Sequence, residues 1–249
     1  MTSFKILTLN THKGFSQFNK RFVLPEIRDA IRLVGADVVF LQEVQGEHQL
    51  HSKSHRERWP TEPHYEFLAE SLWPEFAYGR NAVYPHGHHG NALLSKYPIK
   101  SHENHDVSVA GHEERGILYS VVELPGSGTR IHTMCVHMGL AEDHRRQQTL
   151  LLLKLMAEKV PADEPLVIAG DFNDWKLQVH QKLTAEGGVA ECLGTAIAKP
   201  ARTFPVWLPV LRLDRVYLRN AAVRNASVLH RHPWTRLSDH APLLVEIEL

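Results

Sequence analysis

Apolar residues along this chain fall in short runs bounded by turn formers, the pattern of buried strands. Strands are predicted at residues 4–9, 37–42, 76–83, 91–95, 116–124, 130–137, 165–170, 214–219 and 241–248. Three segments break that pattern with helical character. Residues 25–34 put Ile27, Ile31 and Val34 at helical spacing, with Pro25 tolerated in the first turn. Residues 142–159 open on Glu142 and Asp143, carry Lys154 and Lys159 towards the end and stop before Pro161, a polarity that suits the helix macrodipole. A third helix, 176–186, ends at Gly187-Gly188. Many consecutive strands with few helices imply two sheets packed face to face, helices outside. No repeat, low-complexity linker or composition break interrupts the chain, so one domain over residues 1–249 is expected. Two polar stretches, 45–63 and the His- and Gly-rich run from Tyr84 to Asn91, read as exposed loops.

Composition narrows the classes. Lys plus Arg and Asp plus Glu both total 28, a formal net charge of zero. That argues against a dedicated nucleic-acid binder, although a local basic groove fits within a balanced total. Cys135 and Cys192 have no partner spacing and suit a reducing compartment; Cys135, in a strand-like run, takes the default of a small buried hydrophobe. The chain enters a strand at Phe4 with no basic lead, and its first apolar run is too short for a signal-peptide core. No stretch approaches the roughly 18 apolar residues that span a bilayer. A soluble, cytoplasmic protein is expected.

Three acidic sites add chemistry. Leu41-Gln42-Glu43 and Gly170-Asp171-Phe172-Asn173 each close an apolar run, and Ser238-Asp239-His240 precedes one. Buried carboxylates are costly unless something positive meets them. Oxygen ligands gathered from distant parts of a chain are what Mg²⁺ uses. Asp171 and Asn173, two apart, can face one site, and Gly170 leaves room for close backbone approach. Asp239 sets a metal-capable carboxylate beside His240, whose imidazole can move protons near neutral pH. His137 ends the strand from Ile131. Asp214 stands where an apolar strand begins and needs a partner, for which a histidine is the obvious candidate. Taken singly, Asn10 is a turn residue and Glu43 an exposed strand-end carboxylate.

Other signals take plainer readings. His86, His88 and His89, interleaved with Gly87 and Gly90, read as a solvated loop rather than a structural zinc site. His102, His105 and His112 lack ligand spacing and read as surface residues. Arg145-Arg146 reads as a solvated helix face, with a phosphate-rich groove as the lesser alternative. Trp207 and Leu208, between Pro205 and Pro209, read as packing residues; an exposed apolar lip touching lipid or base is the weaker reading.

In order along the chain, Asn10, Glu43, Asn91, Arg115, His137, Asp171-Phe172-Asn173, Asp214 and Ser238-Asp239-His240 resemble the endonuclease/exonuclease/phosphatase superfamily, the deoxyribonuclease I-like group. Gly90-Asn91-Ala92-Leu93-Leu94-Ser95 and Thr203-Phe204-Pro205 support the likeness, which covers the chain from Leu9 to His240. The resemblance implies an α+β fold, a four-layer α/β/β/α sandwich with two packed mixed β-sheets. It implies a Mg²⁺ site at Glu43 with Asn10 and Asp239, Mn²⁺ being a possible substitute. Asp171 and Asn173 would orient the attacking water and the phosphate, and Asp214 would hold His240. His137, Asn91, Arg115 and Asn173 would bind the phosphate. A histidine at position 137 is more similar to deoxyribonuclease I, the sphingomyelinases and the phosphatases than to abasic-site endonucleases. The implied activity is hydrolysis of a phosphodiester or phosphomonoester, on a small-molecule, lipid-like or nucleic-acid substrate. A DNA or RNA nuclease is the second reading. A catalytically silent binding module is the third, and its mark would be a lost Glu43 or His240; both are present.

Overall fold

The computed structural model describes residues 3–70, 72–109, 113–194 and 200–249. In chain order its elements are β1 (Ser3–Asn10), α1 (Leu24–Val34), β2 (Val38–His48), α2 (Gln49–Ser54), α3 (His64–Ala69), β3 (Glu75–Tyr84), β4 (Gly87–Ser95), β5 (Ile99–Asp106) and β6 (Gly116–Glu123). They continue with β7 (Arg130–His137), α4 (Glu142–Lys159), β8 (Leu166–Asp171), α5 (Gln178–Glu186), β9 (Ala190–Glu191), β10 (Asp214–Arg219), β11 (Ala222–Val228) and β12 (Leu243–Glu248). Among the described residues the strands form two six-stranded sheets, of order β11-β12-β1-β2-β4-β3 and β5-β6-β7-β8-β10-β9. Both are mixed, because β1 runs parallel to β2 in one and β7 parallel to β8 in the other.

Strand alternation builds the layers. Phe4 and Ile6 of β1 point between the sheets, where they share the central core with Val38, Phe40, Val167, Ala169 and Val216. Leu7 and Leu9 point outward and meet Leu24, Ile27 and Ile31 of α1. In the second sheet Met134, Val136 and Ile168 face outward onto Leu152, Leu155 and Met156 of α4. Both sheets are therefore covered on both faces, which is why their strands read as nearly continuous apolar runs. The architecture is an α+β sandwich of four layers, α/β/β/α.

Two loop expectations are overturned. The run from Tyr84 to Asn91 is a hairpin, with β3 reaching Tyr84 and β4 starting at Gly87. Its Cα partners run Tyr84 with Gly87 and Val83 with His88, so the glycines lie inside a paired ladder. Residues 45–63 are only partly loop, since β2 continues to His48 and α2 follows. The short helix α3 and the strands β5, β9 and β11 went unread, and α5 starts two residues later than expected. Strand β5 is polar because it lies at a sheet edge and is mostly exposed, His102 with it, while His105 is half-buried. His112 lies outside the described residues.

Candidate active site

Strand ends converge at one end of the sandwich. The parallel register of β7 and β8 pairs His137 with Asp171, and the antiparallel register of β8 and β10 pairs Asp171 with Asp214. Three functional groups thus stand in a row across the second sheet. The first sheet brings up Asn10 at the end of β1, whose Nδ2 donates to Asp171 Oδ2 at 3.2 Å. Gly170 permits this packing. Its φ is +146°, and a Cβ there would stand 2.0 Å from the Val136 carbonyl oxygen.

Glu43 arrives by a local irregularity. The register of β2 on β4 shifts between Leu41 and Val44, and Glu43 sits at φ 54°. A bulge of this kind re-aims a side chain. Asn173 likewise sits at φ 48° just after β8, its amide nitrogen donating to Met138 O at 2.9 Å and its backbone N–H to Asp171 Oδ1 at 3.0 Å. A non-glycine residue in this region costs on the order of 1–3 kcal/mol, and such costs gather at functional sites.

The result is a line of alternating charge. His240 Nδ1 donates to Asp214 Oδ2 at 2.8 Å, and its Nε2 stands 3.8 Å from Asp171 Oδ2. His137 Nε2 faces the same oxygen at 3.7 Å and Glu43 Oε1 at 4.0 Å. Lys13 Nζ ends the line, 3.9 Å from Glu43 Oε2. A cleft of about 510 Å³ exposes Asn10, Lys13, Glu43, Arg115, His137, Asp171, Asn173 and His240. Asp214 is buried behind His240.

Environment drives the titrating groups apart. Burial pushes the Asp171 carboxyl up and the charge of Asp214 adds to that, against the opposing pull of His240. Burial would depress His240, but Asp214 and Asp171 outweigh it and raise the imidazole to about 10. His137 goes the other way. Burial holds it well below its usual range, and the positive charges of Arg115, His240, His89 and Lys13 deepen the effect. At neutral pH the cleft therefore pairs a protonated His240 with a neutral His137.

Two placements differ from expectation. Asn91 is fully buried and does not line the cleft; its Nδ2 donates to Gly116 O at 2.9 Å and Cys135 O at 3.1 Å, bracing β4 against the other sheet. An amide used in this way is not available to a phosphate. Arg145 is also buried, not solvated. It donates to Gly139 O at 3.1 Å and to Leu140 O, fixing the turn after His137, and stacks over Trp175 at 4.5 Å. Arg146 is exposed and pairs with Asp143. Arg115 does line the cleft, its Nε 3.4 Å from Met138 O and its Nη2 2.8 Å from Glu113.

One cluster among the described residues could hold a metal ion, and a second set is expected from the sequence. The first is Asp171, Asp214 and His240, whose ligand atoms lie within 4.8 Å of one another. There, however, His240 Nδ1 is already engaged by Asp214 and both Asp171 oxygens accept hydrogen bonds. The other is Glu43 with Asn10 and Asp239. The nearest cations to the Glu43 carboxylate stand beyond hydrogen-bond distance, so its oxygens are open to a hard cation. Asp239 is set back from the cleft wall, 3.7 Å from His12 Nδ1. It stays close to Asn10 through Ser238, whose Oγ lies 2.7 Å from Asn10 O and 3.3 Å from Asp239 Oδ1. Of the three, Glu43 offers open carboxylate oxygens at the cleft, while Asn10 Oδ1 accepts from the His12 N–H at 3.0 Å.

The model of the endonuclease/exonuclease/phosphatase family matches residues 7–240. The chain belongs to that family. Members of the endonuclease/exonuclease/phosphatase family are generally hydrolases of phosphate esters and commonly use divalent metals. The chain is 54% identical over 247 residues to YbhP of Escherichia coli (strain K12), covering 99% of this chain and 97% of YbhP. The family fold of Beutenbergia cavernae DSM 12333 superposes with a TM-score of 0.80 at 20% identity, covering all of this chain and 72% of that one. A Bacteroides thetaiotaomicron mannosyl-6-phosphatase superposes with a TM-score of 0.72 at 16% identity, covering 99% of this chain and all of the other.

Sequence reasoning missed Lys13, His89 and Trp175 on the cleft wall. Lys13 reaches it from a loop residue at φ 56°, and no sequence pattern announces that. His89 was assigned to a solvated loop, yet it lies in β4 and burial depresses it to about 3. The period-2 placement of His89, Asn91 and Leu93 was a signal that could have put it in a strand.

Proposed function

We propose that this protein is a Mg²⁺-dependent phosphoesterase that hydrolyses a phosphodiester, or a phosphomonoester, by metal-assisted attack of water. One observation carries the reading: Asp214, His240, Asp171, His137 and Glu43 alternate acid and imidazole in one line, the last four on the cleft wall, with 2.8 Å closing the first contact and 3.7–4.0 Å separating the rest. Those longer contacts are not direct hydrogen bonds, so a water or phosphoryl oxygen entering from the cleft can bridge the facing atoms. Bound Mg²⁺, or Mn²⁺ in its place, neutralises phosphate charge and stabilises the leaving oxygen. Glu43, with Asn10 and Asp239 beside it, would hold the ion.

The chain's own residues do the remainder. Asp214 fixes the orientation of His240 and stabilises its protonated form, as in a His–Asp dyad. His240 is then a proton donor and positive charge beside the phosphate. Asp171, its carboxyl raised towards neutrality, is the base that takes the proton from water. Asn173 orients water and phosphate, and the neutral His137 and Arg115 hold the phosphoryl oxygens. Losing one such contact costs on the order of 10²-fold in turnover.

The test is a panel of phosphodiesters and phosphomonoesters run with Mg²⁺, with Mn²⁺ and with EDTA. Turnover that requires the divalent ion supports the reading; no turnover across the panel, or turnover indifferent to EDTA, overturns it.

A further inference from the structure

One wall of the cleft is apolar, and it continues out to the protein surface. Phe204 and Leu211 line the cleft and pair as an antiparallel bridge. The hairpin they close is held by Leu211 N–H donating to Phe204 O at 2.9 Å and by Val210 N–H donating to the same oxygen at 3.0 Å. Val206 is buried and its N–H donates to Asp239 O at 2.8 Å, which pins the root beside the catalytic residues. Beyond that root, Trp207, Leu208 and Val210 are 60%, 56% and 52% exposed. The expectation that Trp207 and Leu208 pack inside is overturned. Large apolar side chains scattered singly on a surface need no explanation, but three within four residues mark an interaction surface.

Charge identifies the partner. From Cys192 to Ser238 the sequence holds eight Lys or Arg and a single acid, Asp214, which is buried. Arg202, at the base of the hairpin, and Arg231 and Arg236, in the loop leading to Ser238, are exposed. None of the three has an ion-pair partner among the described residues. That loop and the hairpin are tied together, since Ala241 N–H donates to Thr203 O at 2.9 Å. A tryptophan-bearing apolar tip above a cationic base is the chemistry of attachment to an anionic membrane surface. No helix among the described residues is long and apolar enough to cross a membrane, so the attachment is peripheral.

We propose that the hairpin Phe204–Leu211 docks on an anionic lipid bilayer. Trp207, Leu208 and Val210 enter the boundary between headgroups and acyl chains, and Arg202, Arg231 and Arg236 meet the lipid phosphates. The cleft then opens towards the bilayer and receives a phosphoester carried in it. That last clause rests on the phosphoesterase reading; the docking does not.

The experiment is flotation of the full-length protein with phosphatidylcholine vesicles, with and without phosphatidylglycerol, followed by tryptophan quenching with brominated lipid. Wild type should float with the anionic vesicles and be quenched. The double variant Trp207→Ser/Leu208→Ser should bind roughly tenfold or more weakly, while its thermal unfolding and its turnover of a soluble diester stay unchanged. If that variant unfolds, Trp207→Phe alone should still lose most of the quenching. Wild type that does not float, or a hairpin variant that floats equally well, overturns the proposal. So does a DNA mobility shift lost with the hairpin, or a dimer in sedimentation that the variant abolishes, because each assigns the surface to another occupant. Vesicle binding is read without turnover, so an inactive protein that floats would retire the esterase and leave the docking intact.

Discussion

Asp171 and Asp214 stand directly opposite one another across the antiparallel pair β8–β10, both buried. Like charges at facing strand positions repel, and His240 resolves the conflict by hydrogen-bonding one carboxylate and facing the other. The two carboxylates hold His240 protonated, while burial and then Asp214 raise the Asp171 carboxyl. The proposed catalytic roles rest on that compensation.

Asp214→Asn removes the charge that orients and protonates His240 while keeping the shape. Turnover should fall by about 10²- to 10⁴-fold, with a smaller change in KM, because the dyad acts on the reacting atoms. Steady-state kinetics on a soluble diester checks this, and an unchanged kcat would remove the dyad from the mechanism.

The acid limb of the pH profile should belong to Asp171. A base must be ionised, so turnover is lost as pH falls through a carboxyl pKa that burial and Asp214 have raised. In Asp214→Asn the raising charge of Asp214 is gone, but so is the protonated His240 that pulls Asp171 down more strongly, and the limb in kcat should move to higher pH. A limb that stays where it is would assign it to another group.

Gly170→Ala should be among the most damaging small substitutions in the chain. Its φ of +146° disfavours any side chain, and the new methyl would meet the Val136 carbonyl at 2.0 Å. Separation of β7 from β8 would pull His137 away from Asp171. Both stability, by thermal unfolding, and activity should drop together; loss of activity alone would contradict the packing argument.

Acid should destabilise the protein through a buried imidazole. Burial depresses His64 to about 3 from 6.5, and both ring nitrogens lack partners. The unfolded imidazole takes up a proton as pH falls below 6.5, whereas the folded one resists until about 3. Stability from this group is thus complete above pH 6.5 and declines across that window, by up to ~1.4 kcal/mol per pH unit. His64→Leu should flatten the slope of unfolding free energy between pH 6 and 4, measured by urea titration. An unaltered slope would show that His64 is protonated in the fold.

The central strands and the helices α1 and α4 were legible because both faces of each sheet are covered, which leaves long apolar runs for Val38–Leu41 and Leu166–Ala169. Strands β5 and β11 were illegible for the opposite reason, since edge strands with exposed faces carry sequences such as Ile99-Lys100-Ser101-His102. Within the site, Asp171, His240 and Glu43 were readable because an acid or imidazole at the end of an apolar strand is costly without a purpose. The use of Asn91 as a brace and the burial of Arg145 depend on which carbonyls the fold delivers to them, and local sequence does not encode that. Lys13 enters through two consecutive left-handed residues, His12 and Lys13, a backbone choice that no glycine or asparagine announces.

The most direct test of the metal-assisted account is turnover of a soluble diester by Glu43→Gln beside the wild type, each titrated with Mg²⁺. Glu43 combines a left-handed backbone with open carboxylate oxygens at the cleft. The account predicts a kcat/KM lower by about 10²-fold or more, with half-saturation shifted to higher Mg²⁺. Equal activity and an identical Mg²⁺ dependence in the two proteins would contradict it.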